Sequence, residues 1–313
     1  MTQMVPIYDI WRILSYPRDH VEAEIRALCR TAYIGDHTAL CRILGRYKMY
    51  VDTRDVGIAS HLMLEGYWEM WVTAAMMQCI RRGSVVADVG ANLGYFTLLM
   101  ADLTGAEGRV LSFEPNHNLA SRVRKSIAVN GFGGFTDFHQ VALGEADGEV
   151  EMEIDESMPG GGRALHEKTK ASPASVAPTV PVMSSTEYYA GKPGKKAKPA
   201  PLLEATSPVV PVRRFDEIDY ALDVEFMKID VEGFEPYVWA GMTGLLKRGR
   251  PLTIFMEFTI ERFPDAKAFL QDILSYGFSL EIVDLRAGIQ PITAEQLFAG
   301  PHNIDHMLVF RRY

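Results

Sequence analysis

Asp230 and Glu232, two residues apart in KIDVEG, are the carboxylates of this chain best spaced to handle a proton together. Residues two apart on a strand share a face, so a strand that persists through this segment turns both acids into one crevice. There one of them could act as a general base toward a hydroxyl, or the pair could hold a divalent cation with Glu257 of the following strand. Lys228, two residues earlier on the same face, could pair with either acid, in a catalytic role or as a plain buried ion pair. A second constellation lies upstream in VVADVGANLGYFT. Asp88 closes a strand, Gly90 and Gly94 bracket a turn, and a helix starts at once. Glycine lets a ligand approach the backbone there, facing a helix N-terminus. Asn92 lies in this loop as a helix cap or a ligand contact. Glu114, in LSFEP, stands 26 residues after Asp88 at the end of the next strand. Its two oxygens can accept from both hydroxyls of a ribose.

Dinucleotide-binding loops carry G-x-G-x-x-G; here Asn92 and Tyr95 stand at the second and third glycine positions, which weakens a nicotinamide-dependent dehydrogenase reading. The spacing D-x-G-x-x-x-G resembles motif I of class I S-adenosylmethionine methyltransferases. The succession DVGANLGYFT, FEPNHNLASRVRKSIAVNG, VALGEADGEV and FMKIDVEGFE resembles the FkbM-type methyltransferases, over roughly residues 45–155 and 208–313. KIDVEG is the segment that most class I methyltransferases do not share. The resemblance implies an α/β, Rossmann-like, doubly wound and mostly parallel seven-stranded sheet. It implies S-adenosyl-L-methionine as cofactor and O-methylation of a hydroxyl on a small molecule, sugar or natural product. The cofactor-binding residues it implies are Glu69 of the acidic segment GYWEMW, then Asp88, Gly90, Asn92, Gly94, Glu114, Gln140, Ala142 and Asp230. Asp230, Glu232 and Lys228 are the candidate catalytic residues, and no metal is assigned. On this reading Gly90→Val cripples cofactor binding while leaving the fold largely intact.

The elements that must position these residues follow from the pattern. From Ser84 the chain alternates strand (VVADVG), helix (GYFTLLMADLT), strand (RVLSFEP) and helix (NLASRVRKSIAVN), the rhythm of a doubly wound parallel sheet. FHQVALGEADGEVEMEI reads as two strands joined through a D-G turn, a hairpin projecting from the sheet. Residues 84–313 form the methyltransferase domain, and residues 1–83 a mostly helical extension in which RYKMYVD is a short strand. Residues 155–211 interrupt the domain: nine of the seventeen prolines fall there, beside the basic run GKPGKKAK. That stretch reads as a flexible insertion, a lid or an inert surface segment.

Composition narrows the function classes. Hydrophobic residues make up 48% and charged residues 23%, values of a globular chain. The net charge of −8 argues against binding nucleic acid by phosphate neutralisation. An [N/D/S]-P-P-[Y/F/W] signature, frequent in nucleic-acid and protein N-methyltransferases, is replaced by KIDVEG. Three cysteines without a C-x-x-C pair fit a reducing cytoplasm better than a disulfide framework. No membrane span or signal peptide is expected, and a non-catalytic binding module is the alternative to an enzyme.

Overall fold

The computed structural model describes residues 6–154, 162–165 and 208–313. The N-terminal extension is helix and sheet together, which corrects the mostly helical expectation. Helix α1 (Arg18–Leu28) stops where Cys29 turns extended, and the chain then forms a three-stranded antiparallel sheet, β1 (Thr31–Gly35), β2 (Thr38–Ile43) and β3 (Tyr47–Asp52). The β1–β2 turn carries positive φ at Asp36 (46°) and His37 (52°), the two-residue turn that matches strand twist. Helices α2 (Ile58–Leu64) and α3 (Met70–Met77) lead to the main sheet.

The alternation anticipated from Ser84 is present as β4 (Val85–Val89), α4 (Tyr95–Thr104), β5 (Arg109–Phe113), α5 (His117–Val129) and β6 (Thr136–His139). Next come β7 (Ala142–Leu143), β8 (Gly148–Glu153), β9 (Arg163–Leu165) and β10 (Val209–Arg213). The domain closes with β11 (Val224–Ile229), α6 (Glu235–Ala240), α7 (Thr243–Lys247), β12 (Leu252–Phe258), α8 (Ala266–Ser275), β13 (Ser279–Asp284), β14 (Gly288–Pro291), α9 (Ala294–Ala299) and β15 (His306–Arg312).

The main sheet runs β14-β13-β15-β12-β11-β4-β5-β6. Strands β6, β5, β4, β11 and β12 are parallel, and β15 enters antiparallel beside β12. The sheet has eight strands rather than seven, because β14 folds back on β13 and adds an outer antiparallel strand. From β4 the chain winds outward through β5 and β6, then returns to the other side of β4 as β11. A crevice opens at such a reversal, at the carboxyl ends of β4 and β11.

The extension is joined to this sheet by a shared core: Ile43, Met49 and Leu62 pack in one cluster with Leu98, Val123 and Val309. Helix α5 satisfies the open edge of β3, since the Asn130 side chain just beyond it bonds both Lys48 N and Lys48 O, and Ser126 Oγ accepts from Tyr50 N. The expected hairpin differs in detail. β7 and β8 do not pair; β10 lies between them, parallel to β7 and antiparallel to β8, in a four-stranded sheet ordered β7-β10-β8-β9. Part of the stretch expected to be irregular thus supplies strands at both ends, while residues 155–161 and 166–207 lie outside the described residues.

Candidate functional site

The glycine loop after β4 and the loop after β11 meet at the crevice. Gly90 N and Ala91 N both donate to Phe113 O, which ties the first loop to the end of β5. Asp230 N donates to Val89 O at 3.0 Å, so the two loops run backbone to backbone. A Cβ built on Gly90, at φ +81°, would lie 1.9 Å from Asp230 O. Gly90 is therefore required by the fold before any ligand arrives, which corrects the expectation that valine there leaves the fold intact. Gly94, at φ +87°, turns the chain into α4 against Val123.

Glu114 joins the loops on the other side. Its Oε2 accepts from Asn92 N and its Oε1 from Asn116 N, both at 2.8 Å. Each oxygen keeps a second lone pair, so the carboxylate can still receive two ribose hydroxyls, and the donor set fits S-adenosylmethionine. Glu114 is buried, and burial pushes its pKa up to about 7. The folded chain thus holds a proton on Glu114 between about 4.5 and 7 that the unfolded chain releases. Its stabilising contribution is present below that window and is lost as pH rises through it. Urea unfolding should show wild type losing more stability between pH 5 and pH 8 than Glu114→Gln. Equal losses would contradict the buried-carboxyl account.

Asp88 lies fully buried beneath the glycine loop. Its Oδ2 accepts from Thr97 Oγ1 at 2.5 Å, and that hydroxyl also meets Ser112 Oγ. Its Oδ1 is buried without a hydrogen-bond partner, with Lys228 and Asp230 as charged neighbours. Gln140 accepts from Arg124 just past β6, and Ala142 is buried in β7.

The structure brings Asp230, Glu232 and Lys228 together, by a different route from the one expected. β11 ends at Ile229, and Glu232 and Gly233 take positive φ of 56° and 98°, so a left-handed turn rather than a shared strand face gathers the acids. Lys228 Nζ bonds Asp230 Oδ2 at 2.7 Å and lies 5.0 Å from the Phe96 ring centroid. Burial disfavours the Lys228 ammonium, but Asp230, Asp88 and Glu69 outweigh it and raise its pKa. Glu69, at φ +38° ahead of α3, joins the same group; burial and Asp230 push it up to about 7. Glu232 is likewise raised to about 7 by burial and by Asp230.

Three participants carry no local sequence signal. Glu235 accepts from Val231 N ahead of α6. Arg262, in the 3-10 turn Ile260–Arg262, pairs with Glu257 at 2.7 Å, Glu232 at 3.0 Å and Asp305 at 3.4 Å. Asp305 in turn accepts from Thr259 Oγ1. Carboxylate oxygens of Asp230, Glu232 and Glu257 lie within 4.8 Å of one another, a spacing open to a cation. The Arg262 guanidinium already supplies counter-charge to two of the three, and no metal is assigned.

The protein-L-isoaspartate O-methyltransferase of Ignicoccus hospitalis is 39% identical over 57 residues, 18% of this chain and 27% of that protein. The solved methyltransferase FkbM of Methylobacillus flagellatus KT aligns at 14% identity and a TM-score of 0.40, covering 74% of this chain and 44% of that one. A SAM-dependent O-methyltransferase of Thermotoga maritima aligns at 10% identity and 0.41, covering 90% and 85%. The chain thus spans about a quarter of that curated relative and under half of the Methylobacillus chain. The family described as Methyltransferase FkbM domain matches residues 88–280, from Asp88 past the Arg262 turn. That match covers more than half of the 313 residues, and the chain belongs to the FkbM family of S-adenosylmethionine-dependent methyltransferases.

Proposed function

We propose that the chain methylates a hydroxyl of a small molecule, sugar or natural product. The observation that carries this reading is the gathering of Asp230, Glu232 and Lys228 at the carboxyl end of β11, backbone to backbone with the glycine loop. When bound, S-adenosylmethionine supplies an electrophilic methyl group on a sulfonium, whose C–S bonding pair stays with sulfur as the acceptor oxygen forms the new C–O bond. The protein then has to orient that oxygen and take its proton. Glu114 would hold the ribose, Gly90, Asn92 and Gly94 the loop-side path, Gln140 and Ala142 the adenine edge, and Glu69 with Asp230 the aminoacyl ammonium.

Glu232 is the better base. Its pKa of about 7 matches neutral operation, whereas Asp230 is already committed to Lys228. The three cysteines are free thiols, which suits a reducing cytoplasmic setting. No helix among the described residues is long and apolar enough to cross a membrane. The test is formation of S-adenosylhomocysteine with a panel of hydroxyl acceptors, before and after prolonged chelation. Turnover that survives chelation is the expected result; turnover of amines alone would overturn the hydroxyl reading, and loss on chelation would make the carboxylates metal ligands.

A further inference from the structure

Glu232 sits in a left-handed turn past the end of β11, without a ladder to fix it. Among the described residues its ion pair is to Arg262, through Oε2. Arg262 Nη1 spans Glu232 and Glu257, and Nη2 reaches Asp305, so one planar guanidinium joins the ends of β11 and β12 to the turn before β15. Gly233 adds to the fit, since a Cβ there would already touch the Arg262 stem at 3.4 Å. Lys228 cannot replace this cation, because its ammonium is buried and bonded to Asp230.

We propose that Arg262 is a positioning residue of the methyl-transfer site, holding Glu232 beside Glu257 so that Glu232 meets the acceptor hydroxyl in a fixed geometry. The inference rests on the methyl-transfer reading above. A guanidinium fork suits the task because it binds two carboxylates in one plane, whereas an ammonium is a point charge. Without it, Asp230, Glu232, Glu257 and Asp305 face one another with Lys228 as the nearby cation. Glu69 ahead of α3 and Glu235 at the start of α6 add further acids, and His306, beside Asp305, is pushed toward its neutral form by burial. Removing the cation therefore favours protonated Glu232, so both its titration and the acid limb of the rate profile should move to higher pH.

The full chain would be compared as wild type, Arg262→Met and Arg262→Lys. Carboxyl-labelled glutamate followed by NMR against pH reads the hold on Glu232 without any turnover, and steady-state kinetics reads its consequence. In Arg262→Met we expect unchanged cofactor affinity, a raised Glu232 titration, and kcat lower by about 10- to 100-fold, the scale of a misplaced reacting group. Arg262→Lys should recover part of both the titration and kcat. Identical titration of Glu232 in wild type and Arg262→Met, or kcat within error of wild type, would overturn the proposal. If wild type forms no S-adenosylhomocysteine, the methyl-transfer reading fails instead, and the titration still decides whether Arg262 governs Glu232.

Discussion

Of the variants Asp230→Asn and Glu232→Gln, at least one is expected to lower the methyl-transfer rate about 100-fold or more, within the range of general base catalysis. In Glu232→Gln, cofactor affinity should change far less than the rate. Both substitutions keep side-chain shape and remove charge. Glu232→Gln leaves an amide that cannot take the acceptor's proton, and Asp230→Asn leaves the buried Lys228 ammonium without its closest carboxylate. The larger loss is expected in Glu232→Gln kcat, because Asp230 is already engaged by Lys228. Steady-state kcat and KM for both substrates decide it. Two variants that turn over like wild type would show that the hydroxyl loses its proton elsewhere.

Gly90→Val is expected to fail as a fold before it fails as a binding site. The added Cβ would lie 1.9 Å from Asp230 O, a backbone atom, and 3.1 Å from Val231 Cγ1. The residue would also have to sit at φ +81°, where a side chain costs about 1–2 kcal/mol. Overpacking adds about 1–3 kcal/mol, so a loss of several kcal/mol is expected where native stability is only about 5–15 kcal/mol. Denaturant unfolding checks this directly. A Gly90→Val chain as stable as wild type would mean that the loops after β4 and β11 can separate without cost.

Much of this site was legible in the sequence because its parts are local. Asp88, Gly90, Gly94 and Glu114 lie on successive strand ends, and strand, turn and helix follow one another within a few residues there. The meeting of the glycine loop with KIDVEG was legible through the winding order, since β11 returns beside β4. The manner of gathering was not. Sequence pattern suggests a strand running through Glu232, whereas positive φ at Glu232 and Gly233 ends it and brings the acids together by a turn. Arg262 and Asp305 reach the site only through tertiary packing, from 30 and 73 residues beyond Glu232, where spacing carries no information. The β1–β2 hairpin is hidden in the sequence for another reason. The apolar spacing of HVEAEIRALCRTAY suits a helix as far as Leu28, and the signal to stop is the turn at Gly35-Asp36-His37 beyond it. The placement of β10 between β7 and β8 joins segments more than 50 residues apart, so no local turn announces it.

The role proposed for Glu114 and the glycine loop is to hold S-adenosylmethionine in the crevice at β4 and β11. Calorimetric titration of the full chain with S-adenosylhomocysteine, and separately with NAD, in wild type and Glu114→Ala tests it most directly. One site for S-adenosylhomocysteine, none for NAD, and weaker binding in Glu114→Ala are predicted, at about 1.5–3 kcal/mol for each lost bond to the carboxylate. Binding of NAD instead, or a Glu114→Ala affinity equal to wild type, would contradict the account.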